Sequence, residues 1–196
     1  MKSATTLLAV VLLLALVSCS KDGTNAGSDI TGNYKYVSTQ VKTTSTVQSI
    51  SGSYIAKTVT TSEYTTQNNT GTVTIDASKF ITSNIAYFIN STAKSTVYEN
   101  GAVTDTFSFP FQFTLPASSG TSTYKRVGTD SLYFTAGSVL NGGSTTTSQP
   151  GGAKIKFENG KLLLYNSAVQ SNTTTNQGET VISVGTVVAV TTMQKQ

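Results

Sequence analysis

The side chains that could act in catalysis are few in this 196-residue chain, and they are poorly grouped. It has no histidine and a single cysteine, so imidazole bases, the usual zinc sites and thiol–imidazole pairs cannot be assembled. A serine nucleophile would need lysine as its base. Lys154 and Lys156 alternate with apolar residues, which places both on a solvated strand face rather than in the dry environment such a base requires.

Carboxylates are the remaining catalytic option. Glycoside hydrolysis needs two of them facing each other within about 5 to 10 Å. Glu99 and Glu158 precede turn sequences and Glu179 begins a strand pattern, which favours solvated strand ends. No D-x-[DN]-x-[DN]-G calcium loop is present. We therefore predict no enzyme activity, no metal site and no cofactor. The candidates considered are Glu63, Asp76, Glu99, Asp105, Asp130, Glu158 and Glu179.

The one cysteine, Cys19, ends an apolar run in the stretch LALVSCSKDG. Met1-Lys2, the run 7–17 and the small residues Ser18-Cys19 have the order of a secretory signal. Such a run is too short to cross about 30 Å of hydrocarbon. The residues Leu16-Val17-Ser18-Cys19 resemble the lipobox of bacterial lipoproteins, which implies cleavage before Cys19 and lipid attachment to it. The alternatives are a buried free thiol or an ordinary signal peptide with an incidental cysteine.

This resemblance predicts the organisation and location of the chain. It gives a signal peptide at 1–18, a lipidated flexible tether at 19–31 and a single β domain at 32–196. Three acyl chains, as such lipoproteins usually carry, would hold the protein firmly on a membrane. Ser20 after the cysteine resembles the outer-membrane sorting rule of some Gram-negative bacteria. We expect a cell-envelope protein on the outer membrane, with its periplasmic or surface orientation left open.

The charge balance argues against a nucleic-acid partner. The chain has 13 basic and 9 acidic residues, a net charge of +4 that falls to about +3 when Lys2 leaves with the signal peptide. There is no polybasic block, and the tripeptide Tyr124-Lys125-Arg126 is too small a platform by itself. With one cysteine there are no internal disulfides, so a hydrophobic core must stabilise the domain.

Period-two alternation and abundant threonine predict an all-β fold. Two Asn-Gly pairs mark tight hairpins, which pair 94–99 with 102–109 and 153–158 with 161–169. About ten antiparallel strands indicate an up-and-down barrel, with a β-sandwich as the alternative. A glycine-rich loop is expected at 137–152. The last strand is apolar on both faces, so it should either lie inside the sheet or face a cavity on one side and a covering layer on the other. The other candidate strands are 33–47, 53–66, 71–76, 84–90, 131–135 and 179–192.

The most distinctive pattern is FSFPFQFTL, in which every second residue from position 107 is apolar. A strand places the four phenylalanines on one face, whereas a helix would scatter them. Pro110, which lacks an N–H, marks an edge, a bulge or a bend there. The face either fills the core or lines a cavity for an apolar molecule. The candidate ligand-binding residues are Phe107, Phe109, Phe111 and Phe113.

Two short motifs add a family resemblance over about residues 30–193. Gly32-Asn33-Tyr34 looks like the Gly-x-Trp start of lipocalins, and Thr129-Asp130-Ser131 is similar to their Thr-Asp-x motif. With the lipobox, the chain resembles lipocalin-like bacterial lipoproteins, which implies a barrel that carries a small apolar ligand. The alternative is a structural or adhesive β-sandwich of the envelope, acting through partner proteins.

Overall fold

The protein is built from strands of one antiparallel sheet. The computed structural model describes residues 29–135 and 150–196. The predicted signal peptide, Cys19 and the tether up to residue 28 lie outside the described residues, as do positions 137–149 of the predicted loop. The strands are β1 Gly32–Ser51, β2 Tyr54–Thr65, β3 Gln67–Ile75, β4 Lys79–Glu99, β5 Ala102–Val127, β6 Ser131–Phe134, β7 Gly151–Glu158, β8 Lys161–Asn176 and β9 Glu179–Lys195.

The sheet closes on itself because its first strand pairs with its last. β1 runs antiparallel to β9 from Tyr34 to Ser51, so β1, β3, β4, β5, β6, β7, β8 and β9 form a ring. β2 and β3 share one place in the ring: both lie between β1 and β4, one beyond the other along those strands. The prediction of an all-β, antiparallel, barrel-like sheet is confirmed. A β-sandwich would need two separate sheets packed face to face.

The predicted Asn-Gly hairpins are confirmed. Asn100 and Gly101 have φ values of 47° and 86°, and Asn159 and Gly160 have 50° and 73°, the left-handed conformation that two-residue hairpins require. The strands on either side pair directly, Glu99 with Ala102 and Glu158 with Lys161. A third such turn, Gln177-Gly178, joins β8 to β9 and was not predicted.

Two predicted strands, 84–90 and 94–99, are wrong as separate elements. They belong to the single 21-residue strand β4, and the described residues contain nine strands rather than about ten. The polar stretch between them suggested a break. Its backbone is instead paired, with β5 along its length and with β2 from Ala93 onward, so hydrogen bonding holds an extended chain that lacks apolar alternation.

The lower part of the ring, which we call the base, encloses the hydrophobic core. Phe80 is 1% exposed and meets the rings of Tyr124 and Phe134 edge-on, with centroids 5.2 and 5.3 Å away. Packing begins before β1, because Ile30 is buried and its carbonyl accepts a 2.9 Å hydrogen bond from the Tyr34 hydroxyl. The core is formed by Ile30, Tyr34, Tyr36, Val73, Ile75, Phe80, Ile85, Leu115, Tyr124, Leu132, Phe134, Ala153, Ile155, Leu162, Leu164 and Met193.

The upper half, made of residues 40–65, 89–114 and 167–188, is open on one side. β6 has 4 residues and β7 has 8, whereas β5 has 26 and β8 has 16. Above the base, no described residue bridges β5 to β8, and residues 167–176 of β8 are all exposed. Within the described ranges there is no helix long and apolar enough to cross a membrane.

Candidate functional site

The structure places the four predicted phenylalanines on one face of β5. In the register with β4, Phe109 lies opposite Ala93 and Phe107 opposite Ser95. Both partners are nearly inaccessible, at 5% and 2% exposure, so this is the upward continuation of the face that carries the core. We call it the inner face, and we call the four side chains the phenylalanine row: Phe107, Phe109, Phe111 and Phe113.

The rings of the row do not fill a closed core. Phe107, Phe109 and Phe113 are 46%, 41% and 46% exposed. Phe111 is better covered, because the ring of Tyr64 meets it edge-on at 5.8 Å. The row spans about 20 Å, at roughly 3.4 Å per residue. Three phenyl rings thus offer free apolar surface on the concave side of the sheet, where an extended apolar molecule could lie against them.

Tyrosines form the floor between the row and the base. Tyr36 and Tyr87 have ring centroids 6.4 Å apart. The Tyr36 hydroxyl hydrogen-bonds those of Thr39, at 2.9 Å, and Thr66, at 3.1 Å, so this buried group is satisfied. Burial, with smaller contributions from the Tyr36 and Tyr64 phenols, raises the pKa of Tyr87 to about 12. The floor is therefore uncharged near neutral pH and can exchange hydrogen bonds with a neutral ligand.

Hydroxyl and amide groups cover the inner face opposite the phenylalanine row. The hydroxyl pairs Thr43 with Ser62 and Thr60 with Ser95 are each 2.7 Å apart. Further along, Ser45, Gln170 and neighbouring residues of β9 line a depression of about 210 Å³. The inner face thus has an aromatic strip on β5, hydroxyl groups on β1, β2 and β4, and a mixture of polar groups and valines, such as Val47 and Val187, on β1, β8 and β9.

No charged side chain among the described residues points into the upper half between the tyrosine floor and its rim. The registers place Lys42, Glu63 and Lys94 on the opposite, outer face. The inner rim carries exposed acids, Glu99, Asp105 and Glu179. An anionic ligand would find no counter-charge beside the row and would face the acids of the rim, so the chemistry of this surface disfavours anions.

A second concave surface lies on the outer face at β6 and β7. Tyr133 and Tyr165 are 42% and 37% exposed and line a mostly apolar groove of about 490 Å³. Two small residues leave room between the rings: Gly152, which lies directly opposite Tyr133, and Ser167. Lys154 lies opposite Tyr165.

The other residues singled out in the sequence stay apart. All seven candidate carboxylates are exposed, and no group of three potential metal ligands is found among the described residues. Lys156 pairs with Glu158 at 3.2 Å on the surface. Tyr124 is buried in the base and donates a 2.7 Å hydrogen bond to the carbonyl of Asp76, so it cannot serve as an exposed aromatic platform.

Sequence reasoning missed the tyrosine floor. Tyr36, Tyr64 and Tyr87 belong to three different strands and are brought together only by strand register. The two-residue period indicates only which side chains share a face within each strand, so it gives no signal of a meeting point between strands.

Comparison of the chain with protein-family models, with curated proteins and with solved structures finds no match in any of the three. What the protein does is therefore argued below from its own residues.

Proposed function

We propose that the protein is a membrane-anchored, non-enzymatic envelope lipoprotein that holds a small neutral apolar molecule against the phenylalanine row. The observation that carries this proposal is the exposure of Phe107, Phe109 and Phe113 on the concave face of the sheet. Exposed rings on a convex surface are common, but a contiguous apolar strip inside a concavity is typical of a binding surface.

The neighbouring groups suggest the class of ligand. The uncharged lining disfavours free fatty acids and phosphates, since a buried anion needs a partner. The partly accessible hydroxyls of Thr43 and Ser62 on the inner face can take part in hydrogen bonds with an ester or alcohol group. A neutral molecule with one extended apolar chain, such as a monoacylglycerol, meets both conditions.

Binding can be read out with a single introduced tryptophan, because the chain has none. In Phe109→Trp the new indole lies in the row. A monoacylglycerol with a brominated acyl chain should quench the fluorescence of this indole saturably. Val169→Trp is the matched control, since Val169 is 70% exposed on the outer face. Equal quenching of both variants, or of neither, would count against ligand binding at the row.

Membrane attachment is a separate part of the proposal and rests on the lipobox-like residues before Cys19. In Cys19→Ser we expect loss of the acyl mass, with the chain recovered as a soluble or unprocessed form. Membrane fractionation and mass spectrometry of the full chain measure this directly. Unchanged fractionation without any acyl mass on the parent chain would overturn the anchor.

The second candidate function is a structural or adhesive module of the envelope. It is favoured by the long upper half, whose β8 residues 167–176 expose a polar surface rich in serine, threonine and asparagine. A pull-down from envelope extract should then recover a partner protein with the native chain but not with the unanchored Cys19→Ala control. Recovery of the same proteins with both would argue against it.

A further inference from the structure

The opening of the upper half leaves two free strand edges. On one side β5 has no partner in the described residues from position 102 to 122, and on the other β8 has none from 167 to 176. Every second residue of a free edge points both its N–H and its C=O group away from the sheet. Such an edge can add a further strand, and natural proteins usually protect it.

The β5 edge is protected. Pro110 and Pro116 remove two N–H donors, and Asp105 adds a charge. The register between β4 and β5 also shifts at three places, twice between Thr82 and Tyr87 and once at Val97. Prolines, charge and bulges are the devices by which edge strands discourage further pairing.

The β8 edge has none of these devices. Residues 167–176, SAVQSNTTTN, contain no proline, no glycine and no charged side chain. Their pairing with β9 runs without a register shift from Lys161 to Asn176. Ten residues in regular extended conformation give an edge of about 33 Å, at roughly 3.3 Å per residue.

We propose that this edge pairs with the same edge of a second copy of the chain, antiparallel about a two-fold axis. An uncharged edge meets its own copy without repulsion, whereas it offers no counter-charge to select a charged peptide. A two-fold axis perpendicular to the sheet, near Asn172, places the same face of both copies on the same side. The inner faces then join into one continuous concave surface.

Cross-linking in cells tests this arrangement in the full chain. Asn172→Cys, treated with a short bismaleimide, should give a covalent dimer in yield about tenfold or more above Gln112→Cys, the matched variant on the β5 edge. The native chain, which carries only Cys19, sets the background. A yield no higher than either control would overturn the proposal.

Lysine substitutions that add charge to the β8 edge provide a second test of the dimer. Ser171 and Thr173 are exposed on the outer face of β8, so lysines there should leave the fold intact. Adding Ser171→Lys and Thr173→Lys to Asn172→Cys should remove the cross-linked dimer, because like charges would meet across the axis. Gln112→Lys with Thr114→Lys on β5 should have no effect. A dimer that persists with the β8 lysines, or that is lost equally with the β5 lysines, would contradict the pairing.

Discussion

The base and the upper half use the same strands and the same alternation, yet one is closed and the other open. In the base, inward side chains such as Phe80 and Leu162 are almost completely inaccessible. In the upper half, Phe107 and Val187 occupy the same inner face and are 46% and 42% exposed. In the upper half an inward apolar residue is therefore buried where neighbouring side chains cover it, as at Ala93, and is exposed where they do not, as at Phe107.

Strand length explains the difference. β5 and β8 extend well above the base, but the strands between them, β6 and β7, have only 4 and 8 residues. A sheet can close only where neighbouring strands reach the same height. Side chains that would otherwise be core become the lining of a concave surface, and the two long strands have no partner along their facing edges within the described part of the chain.

The largest expected difference between the two regions concerns stability. Phe80→Ala should lower the free energy of unfolding by about 3 to 5 kcal/mol, because it leaves a cavity among packed rings. Phe109→Ala should lower it by less than about 1 kcal/mol, since that ring is already 41% exposed. Urea unfolding followed by circular dichroism measures both. Similar losses would show that the row is packed in solution.

Two glycines extend the same comparison to the backbone. Gly71 in the base has φ +104°, and a Cβ there would lie 2.6 Å from the carbonyl oxygen of Asn84. We expect Gly71→Ala to cost about 3 kcal/mol, from clash and strain together. Gly101, in the hairpin at the far end, has φ +86° and open space around it, so Gly101→Ala should cost only about 1 kcal/mol. Thermal unfolding of the two variants measures both stability losses. A larger loss in Gly101→Ala than in Gly71→Ala would contradict this expectation.

Hydrogen exchange should separate the two halves within single strands. In the part of the chain that the structure describes, residues 167–176 of β8 pair with β9 alone, whereas residues 161–166 pair with both β7 and β9. We expect the upper amides to exchange about 10- to 100-fold faster, because they open without disrupting the base. Uniform protection along β8 would contradict this expectation, because it would mean that the upper edge is covered in solution. The proposed dimer would also cover that edge. The measurement is therefore made on the monomer, with Ser171→Lys and Thr173→Lys in place.

The smallest expected effect is a pH dependence that arises at the boundary of the two regions. Burial raises the pKa of Tyr87 from 10.0 to about 12, so the folded state favours the neutral phenol. Its contribution to stability is complete below pH 10 and is lost as pH rises through about 12. Tyr87→Phe should make the urea midpoint fall less steeply over this range. Identical pH profiles for Tyr87→Phe and the parent chain would contradict the assignment.

Much of the strand pattern was predictable from local sequence. Asn100-Gly101 and Asn159-Gly160 specify tight turns by their own conformational preferences, and the residues on either side then pair directly. The interior position of β9, predicted from its two apolar faces, is also confirmed, since it lies between β8 and β1. Strand β4 was divided wrongly because cross-strand hydrogen bonds sustain its polar centre, and these depend on partners far along the chain.

The candidate site was predictable only in part. The shared face of Phe107, Phe109, Phe111 and Phe113 follows from their spacing, but their exposure does not. Exposure depends on whether β6 and β7 reach their height, and the meeting of Tyr64 with Phe111 depends on register between strands that are not neighbours in sequence. These are long-range quantities with no local signature.

By itself, the sequence determined most of the strands, the two Asn-Gly turns and which side chains share a face, because a two-residue period and turn chemistry act over a few residues. The tertiary structure decided that the sheet closes at the base and that, among residues 29–135 and 150–196, nothing pairs with β5 or β8 on the facing sides above it. The physical reason is that closure depends on the relative heights of distant strands. The same alternating pattern therefore produces a packed core at one end of the molecule and an apolar, accessible lining at the other.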